Sequence, residues 1–162
     1  MTDPAPERRP IRLLFLCTGN ICRSPMAEGL ARRYGEVRAQ PLDVRSASVM
    51  GLEGRPAAPN AVKVMAELGI DLSDHQSQPM TPDLLRWADW ILVMELGHSQ
   101  AVRDMAPDVE DRVLLLGSFC GLLEIPDPLG GWVSRFRHAR EQIRAGVENF
   151  IDRLKPGHLK PR

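Results

Sequence analysis

The stretch Leu13-Leu14-Phe15-Leu16-Cys17-Thr18-Gly19-Asn20-Ile21-Cys22-Arg23-Ser24-Pro25-Met26-Ala27-Glu28 reads as a strand, a tight polar loop and the start of a helix. Ile11 to Leu16 is an apolar run of strand length. Ser24 suits a helix N-cap and Pro25 the first helical turn, so the loop faces a helix N-terminus. Such a place binds anions. Successive backbone N–H groups from Thr18 to Arg23 are expected to turn inward as a nest, with Gly19 and Asn20 taking the positive φ angles that the curl requires, while the helix dipole adds partial positive charge. Cys17 stands at one end of this cradle and Arg23 at the other.

A thiol and a guanidinium framing an anion cradle point to phosphoryl transfer through sulfur. The thiolate is the nucleophilic form, and a helix N-terminus with a neighbouring Arg favours it. Arg23 can grip two phosphoryl oxygens with its planar fork while loop amides hold the others, which spreads transition-state charge without a metal. Ser24 is placed to donate a hydrogen bond to the sulfur. The departing oxygen of a phosphate monoester needs a proton, and Ile125-Pro126-Asp127-Pro128-Leu129-Gly130-Gly131 supplies a donor. Prolines stiffen this loop around Asp127 and glycines turn it back, so the carboxyl group would hang over the cradle as general acid and later activate water as base. In isolation each residue has an ordinary fate: Cys17 as a small buried hydrophobe, Arg23 as a solvated charge, Asp127 as a turn residue. Only jointly do they define a site.

The rest of the chain alternates helices and strands. Residues 1–10 are Pro-rich and polar and read as a disordered leader. Pro25 to Tyr34 is expected to form a helix stopped by Gly35, and Leu42 and Val44 alternate with Asp43 and Arg45 as a second strand. The Gly- and Pro-containing segment from Gly51 to Pro59 reads as irregular. Ala61, Val62, Val64, Met65 and Leu68 recur at helical spacing and stop at Gly69, and Thr81-Pro82 starts a helix running to about Ala88. Trp90 to Met94 and Arg112 to Leu116 look like two buried parallel strands with a helix around Ser99 to Met105 between them. Trp132, Phe136, Ala139, Ile143, Val147, Phe150, Ile151 and Leu154 form the apolar stripe of one long closing helix, ended by Pro156-Gly157. The pattern implies an α/β fold: a single-domain, doubly wound, four-stranded parallel sheet with helices on both faces, over residues 11–156, followed by a tail at 157–162.

Composition narrows the function. A chain of 162 residues suits one domain with a sizeable core, and 21 basic side chains against 21 acidic ones give no net field for nucleic acid or an anionic membrane. No apolar run is long enough for a membrane span, and the N-terminus lacks a signal-peptide core, so a cytoplasmic location is expected. Cys17, Cys22 and Cys120 are too few for a disulfide framework. Cys17 and Cys22 lack a second close Cys or His pair, since His75, His98, His138 and His158 are scattered, and no metal or other cofactor is expected. Cys22 reads equally as packing or as a thiol that captures oxidised Cys17 in a reversible disulfide. Cys120 reads as structural, and Trp87 and Trp90 as core.

The two segments together resemble the low-molecular-weight protein tyrosine phosphatase family, whose loop runs Cys-x5-Arg-Ser near the N-terminus and whose acid sits in a late Asp-Pro motif. The likeness extends through Arg45-Ser46-Ala47, Asn60-Ala61-Val62 to Leu68-Gly69-Ile70, His75, and Ile91-Leu92-Val93-Met94. It implies strand order 2-1-3-4, with Cys17 as nucleophile at the switch point, Arg23 as phosphate clamp and Asp127 as acid and base. The residues Thr18, Gly19, Asn20, Ile21, Cys22 and Ser24 would complete the phosphate-binding loop. Asn20, Ser24, Ser46 and His75 would form a hydrogen-bond network that stiffens it, and the segment from Gly51 would wall a substrate cleft with Val49, Met50 and Leu52 opposite Leu129.

Three features depart from the family pattern, one being Ser48, which brings a hydroxyl near the loop where the family usually has Gly after Ser-Ala. Leu129-Gly130-Gly131 replaces the two aromatics that follow Asp-Pro in the tyrosine phosphatases and, with Thr18 and His75-Gln76-Ser77-Gln78-Pro79, is similar to the bacterial branch that includes protein arginine phosphatases. In that branch a Thr before the second Cys accompanies phosphoarginine recognition, but Ile21 stands here. A guanidinium against Ile21 would leave donors unpaired, at a cost on the order of 1 to 3 kcal/mol, whereas an aromatic ring suits it. The resemblance therefore implies a phosphotyrosine phosphatase acting on a phosphorylated protein opposite a cognate kinase, as a monomer or weak dimer. Arginine phosphatase is the alternative. A thiol-dependent arsenate reductase would need two further cysteines, absent between Met80 and Leu116, and a phosphate-binding module would not need nucleophile, clamp and acid together.

Overall fold

The computed structural model describes residues 9–154; residues 1–8 of the leader and residues 155–162, including the expected tail, lie outside the described residues. The elements run β1 (Ile11–Cys17), α1 (Arg23–Val37), β2 (Leu42–Ser48), α2 (Pro59–Ala66), α3 (Pro82–Trp87), β3 (Trp90–Val93), α4 (Leu96–Met105), β4 (Val113–Leu115) and α5 (Val133–Asp152). The strands form one parallel sheet in the order β2-β1-β3-β4. Cys17 pairs with Ser48 at the carboxyl end of β1, beside the reversal of strand order where such sheets open a ligand crevice.

The continuous apolar run of β1 is explained by burial on both faces. Leu13, Phe15 and Cys17 pack toward Met26 and Leu30 of α1, Val64 and Met65 of α2, and Phe136, Ile143 and Phe150 of α5. Leu14 and Leu16 face the opposite way, toward Leu85 of α3 and Val102 of α4. A strand covered on both sides has no solvent face to mark with polar residues. The core therefore comprises two layers divided by the sheet, and β1 at its centre holds Cys17 rigidly.

Several boundaries differ from the sequence expectation. The first helix begins at Arg23, with Cys22 at its N-cap position, because the Ser24 hydroxyl is drawn to other partners within the loop. It passes through Gly35 to Val37. A Cβ on Gly35 would lie 2.7 Å from Leu42 Cδ1, so this glycine serves close approach to β2, and the turn follows at Ala39 with φ +52°. The last strand is shorter than expected and half-buried, as its edge position dictates. Trp87 is half-buried with its ring under the Arg12 and Arg45 guanidiniums, 5.9 and 4.1 Å from its centroid, whereas Trp90 meets Phe150 edge-on in the core. Trp132 is 84% exposed, because it precedes α5 rather than joining its apolar stripe. At the end of the leader, Arg9 forks onto Asp89 through bonds of 2.9 and 3.1 Å.

Candidate active site

The loop from Cys17 to Arg23 is curled by what happens to its carbonyls. Cys17 O accepts from Val49 N, Thr18 O from Met50 N and the Ser48 hydroxyl, Ile21 O from Ala58 N, and Cys22 O from Met26 N. Asn20 O accepts from His75 Nε2 at 2.7 Å. With the oxygens tied outward, the loop's N–H groups are left to line its concave side, the arrangement that holds an oxyanion. Asn20 takes the left-handed conformation with φ +56°; Gly19, expected to share it, does not. Ser48 also accepts from Leu52 N, which fastens the wall segment to the loop.

One amide sets the polarity of the network beneath the sulfur. Gln78 N donates to Asn20 Oδ1, so Asn20 Nδ2 faces the other way and donates to Ser24 Oγ at 2.8 Å and Ser46 Oγ at 2.9 Å. Having accepted that bond, Ser24 Oγ has its own proton free for Cys17 Sγ, 2.9 Å away. The backbone N–H groups of Asn20 and Ser24 reach the same sulfur at 3.3 and 3.4 Å. Three hydrogen-bond donors thus converge on the buried sulfur at the start of α1. Burial first, with Asp127 and Cys17 adding to it and Arg23 opposing, pushes the thiol of the neighbouring Cys22 up to about 12.

Arg23 is 1% exposed and held in one pose. Its Nη1 donates to Ile125 O at 2.8 Å and its Nη2 to Glu95 Oε2 at 2.9 Å, while Nε is buried with no partner. A buried guanidinium N–H without an acceptor is costly unless an anion supplies one. Nε–H is therefore the guanidinium edge donor left for an oxyanion, since Nη2 already reaches Glu95 and, at 3.4 Å, Thr18 Oγ1. The acid loop is pinned by the same side chain and by Ile125 N donating to Met94 O at the end of β3. In that loop Asp127 Oδ1 accepts from Leu129 N, and Oδ2 lies 3.5 Å from Arg23 Nη2.

These groups surround a cleft of about 90 Å³ lined by Cys17, Thr18, Gly19, Ile21, Cys22 and Arg23 below, Met50 and Leu52 on one side, and Asp127 and Leu129 on the other. All three residues expected to do chemistry therefore meet in one place. Of the expected wall, Met50, Leu52 and Leu129 are present; Val49 points away into the second core layer. Ser46 and His75 hold the loop as expected. The sequence reading assigned no role to Gln78, Glu95 or His98, whereas Ser48, expected near the loop, bonds to Thr18 O. Glu28, mostly buried on α1, was also missed; burial raises its carboxyl, opposed by Arg32 and His75. Among the described residues no group of three or more His, Cys, Asp or Glu side chains is arranged to hold a metal ion.

A parallel sheet that presents a cysteine in an anion cradle, with a buried arginine and a facing aspartate, defines a phosphatase of the cysteine-dependent class. The profile described as low molecular weight phosphotyrosine protein phosphatase matches residues 12–158, and the chain belongs to that family. It is 38% identical over 143 residues to a probable low molecular weight protein-tyrosine-phosphatase, EpsP, of Ralstonia nicotianae, covering 88% of this chain and 95% of that one. It is 36% identical over 148 residues to a protein-arginine-phosphatase of Geobacillus stearothermophilus, covering 90% and 97%. Among solved structures, the YwlE arginine phosphatase, as a cysteine-to-serine variant with a phosphorylated active-site serine, superposes with a TM-score of 0.85. That match has 32% identity and covers 91% of this chain and 97% of the other.

Proposed function

We propose that this protein hydrolyses phosphotyrosine in phosphorylated proteins through a cysteinyl-phosphate intermediate. The Cys17 thiolate attacks phosphorus along the line of the departing oxygen, the S–P bond forms as the P–O bond breaks, and Asp127 delivers its proton to the leaving phenol. Loop N–H groups and Arg23 hold the three spectator oxygens throughout. Asp127, now ionised, then takes a proton from water attacking the S–P bond, releasing phosphate and restoring the thiolate. The loop and its sulfur are braced before substrate arrives, so little reorganisation accompanies the reaction.

The choice of tyrosine rests on one observation: apart from the Asp127 carboxyl, the cleft around the nucleophile loop is walled by hydrocarbon from Ile21, Met50, Leu52 and Leu129. An aromatic ring loses little on entering such walls, whereas a guanidinium would give up its hydrogen bonds to water. The Leu129-Gly130-Gly131 loop and the arginine-phosphatase relative favour the second reading, phosphoarginine. Three free cysteines favour a reducing, cytoplasmic setting for the reaction; no described helix is long and apolar enough to cross a membrane. A protein kinase that installs the phosphate is the implied counterpart.

Phosphate release from matched phosphotyrosine and phosphoarginine peptides separates the readings. The native chain is expected to favour phosphotyrosine, Cys17→Ser to lose turnover on both, and Ile21→Thr to move the ratio toward phosphoarginine by about tenfold, the equivalent of one unpaired buried donor relieved. Native preference for phosphoarginine, with the ratio unmoved by Ile21→Thr, would give the specificity to the Leu129 loop instead.

A further inference from the structure

Thr18 follows the nucleophile and lines the cleft, and its Oγ1 lies 2.9 Å from His98 Nε2. The tautomer of that ring is set on its other side. The backbone N–H of Glu95 donates to His98 Nδ1 at 3.2 Å, so Nδ1 is an acceptor and a neutral ring carries its proton on Nε2. His98 is 4% exposed, and burial together with Arg23 holds its imidazole below the usual range, opposed by Glu95, Glu124 and Asp127. The ring is therefore neutral near pH 7. Its Nε2–H donates to Thr18 Oγ1, the nearer acceptor; Glu95 Oε2 is 3.3 Å away.

Arg23 Nη2 brings a second hydrogen toward the same Thr18 oxygen from 3.4 Å. With donors facing both lone pairs, the hydroxyl proton of Thr18 leaves along the remaining direction. A hydroxyl that accepts from behind becomes a fixed donor in front. Glu95 and His98 both belong to the start of α4, so one helical turn sets the Arg23 Nη2 and the Thr18 hydroxyl together.

We propose that His98 is a positioning residue for the phosphatase reaction: through Nε2–H it turns the Thr18 hydroxyl into a donor to a phosphoryl oxygen seated above Cys17. The backbone cradle thereby gains one side-chain hydrogen bond, aimed where charge develops on the transferring group. This rests on the phosphatase reading given above, and nothing in it depends on whether the substrate is phosphotyrosine or phosphoarginine.

The test separates the ring's two nitrogens. His98→Asn keeps a side-chain acceptor for the Glu95 N–H, and so the helix start, but has nothing at the position of Nε2. With p-nitrophenyl phosphate, kcat should fall about tenfold while KM and the melting temperature stay near native, as for loss of a bond made mainly in the transition state. Thr18→Val should show the same loss, the double variant no further loss, and His98→Gln, whose amide nitrogen reaches the Nε2 position, should recover most of the rate. A His98→Asn kcat within about twofold of native, or losses that multiply in the double variant, would overturn the proposal while leaving the phosphatase reading intact. Absence of Cys17-dependent turnover in the native chain would overturn that reading and this proposal with it.

Discussion

Arg23 commits Nη1 and Nη2 to protein acceptors before any substrate arrives, and this defines what each neighbouring residue is left to do. With the clamp fixed by Ile125 and Glu95, the orphan Nε is open to an oxyanion, and Asp127, 3.5 Å from Nη2, is the group proposed as proton donor. Asp127→Asn keeps the acceptor for Leu129 N but removes the acid. Turnover of aryl phosphates with weakly acidic phenols should drop by about a hundredfold or more, and turnover of those with strongly acidic phenols much less, because only poor leaving groups need protonation. An equal drop across a leaving-group series would remove Asp127 from that role. Cys22 gives a second residue-level expectation. A thiol pushed up to about 12 stays protonated and a poor nucleophile at neutral pH, the charged form being reached only as pH climbs toward that value. Iodoacetamide at pH 7 should therefore inactivate by labelling Cys17 rather than Cys22, read by peptide mapping; comparable labelling of Cys22 would contradict its raised thiol.

At the scale of elements, the sequence was legible where chemistry or burial restricts residue type. Cys17, Arg23 and Asp127 could be placed because phosphoryl transfer demands a nucleophile, a clamp and an acid in set relation to a strand end and a helix start. The parallel α/β class followed from strands buried on both faces alternating with helices, and the strand order from the family resemblance. Helix ends were less legible, since a glycine signals equally a stop and a close approach; Gly35 proved to be the second, lying against Leu42, while Gly69, with φ +72°, was the first. Trp132 continued the helical spacing of α5 yet lies outside it, because periodicity does not mark where a helix begins. Glu95 and His98 were invisible for another reason. Their partners Arg23 and Thr18 are 72 and 80 positions away, and only the adjacency of β1 and β3 in the sheet brings the start of α4 over the loop.

Across the whole molecule, the two sides of the cleft are braced against each other by α2 and α5. Ala58, just before α2, holds Ile21 of the nucleophile loop, and α5 begins directly after the acid loop. The two helices are joined just beyond the last turn of α2. Arg140, only 9% exposed in its side chain, donates from Nη1 to Val64 O and Glu67 Oε1 at 2.8 and 2.7 Å, and Arg137 forks onto both oxygens of the same carboxylate, sharing Oε1. Hydrogen bonds from Arg137, then Arg140, hold Glu67 down at about 2, against roughly 4.3 for an unperturbed glutamate. A depressed carboxyl stabilises the fold fully above its unfolded value and loses that contribution as pH falls toward its folded value. The native melting temperature should therefore decline between about pH 4.5 and 2 more steeply than that of Glu67→Gln, so that the gap between them, with native higher at pH 7, narrows with acid. A gap that stayed constant over that range would mean the carboxylate does not carry the coupling. Loss of the brace should also loosen the approach of acid to nucleophile, so Glu67→Gln is expected to lower kcat modestly at pH 7 with KM little changed, although Glu67 touches no part of the cleft.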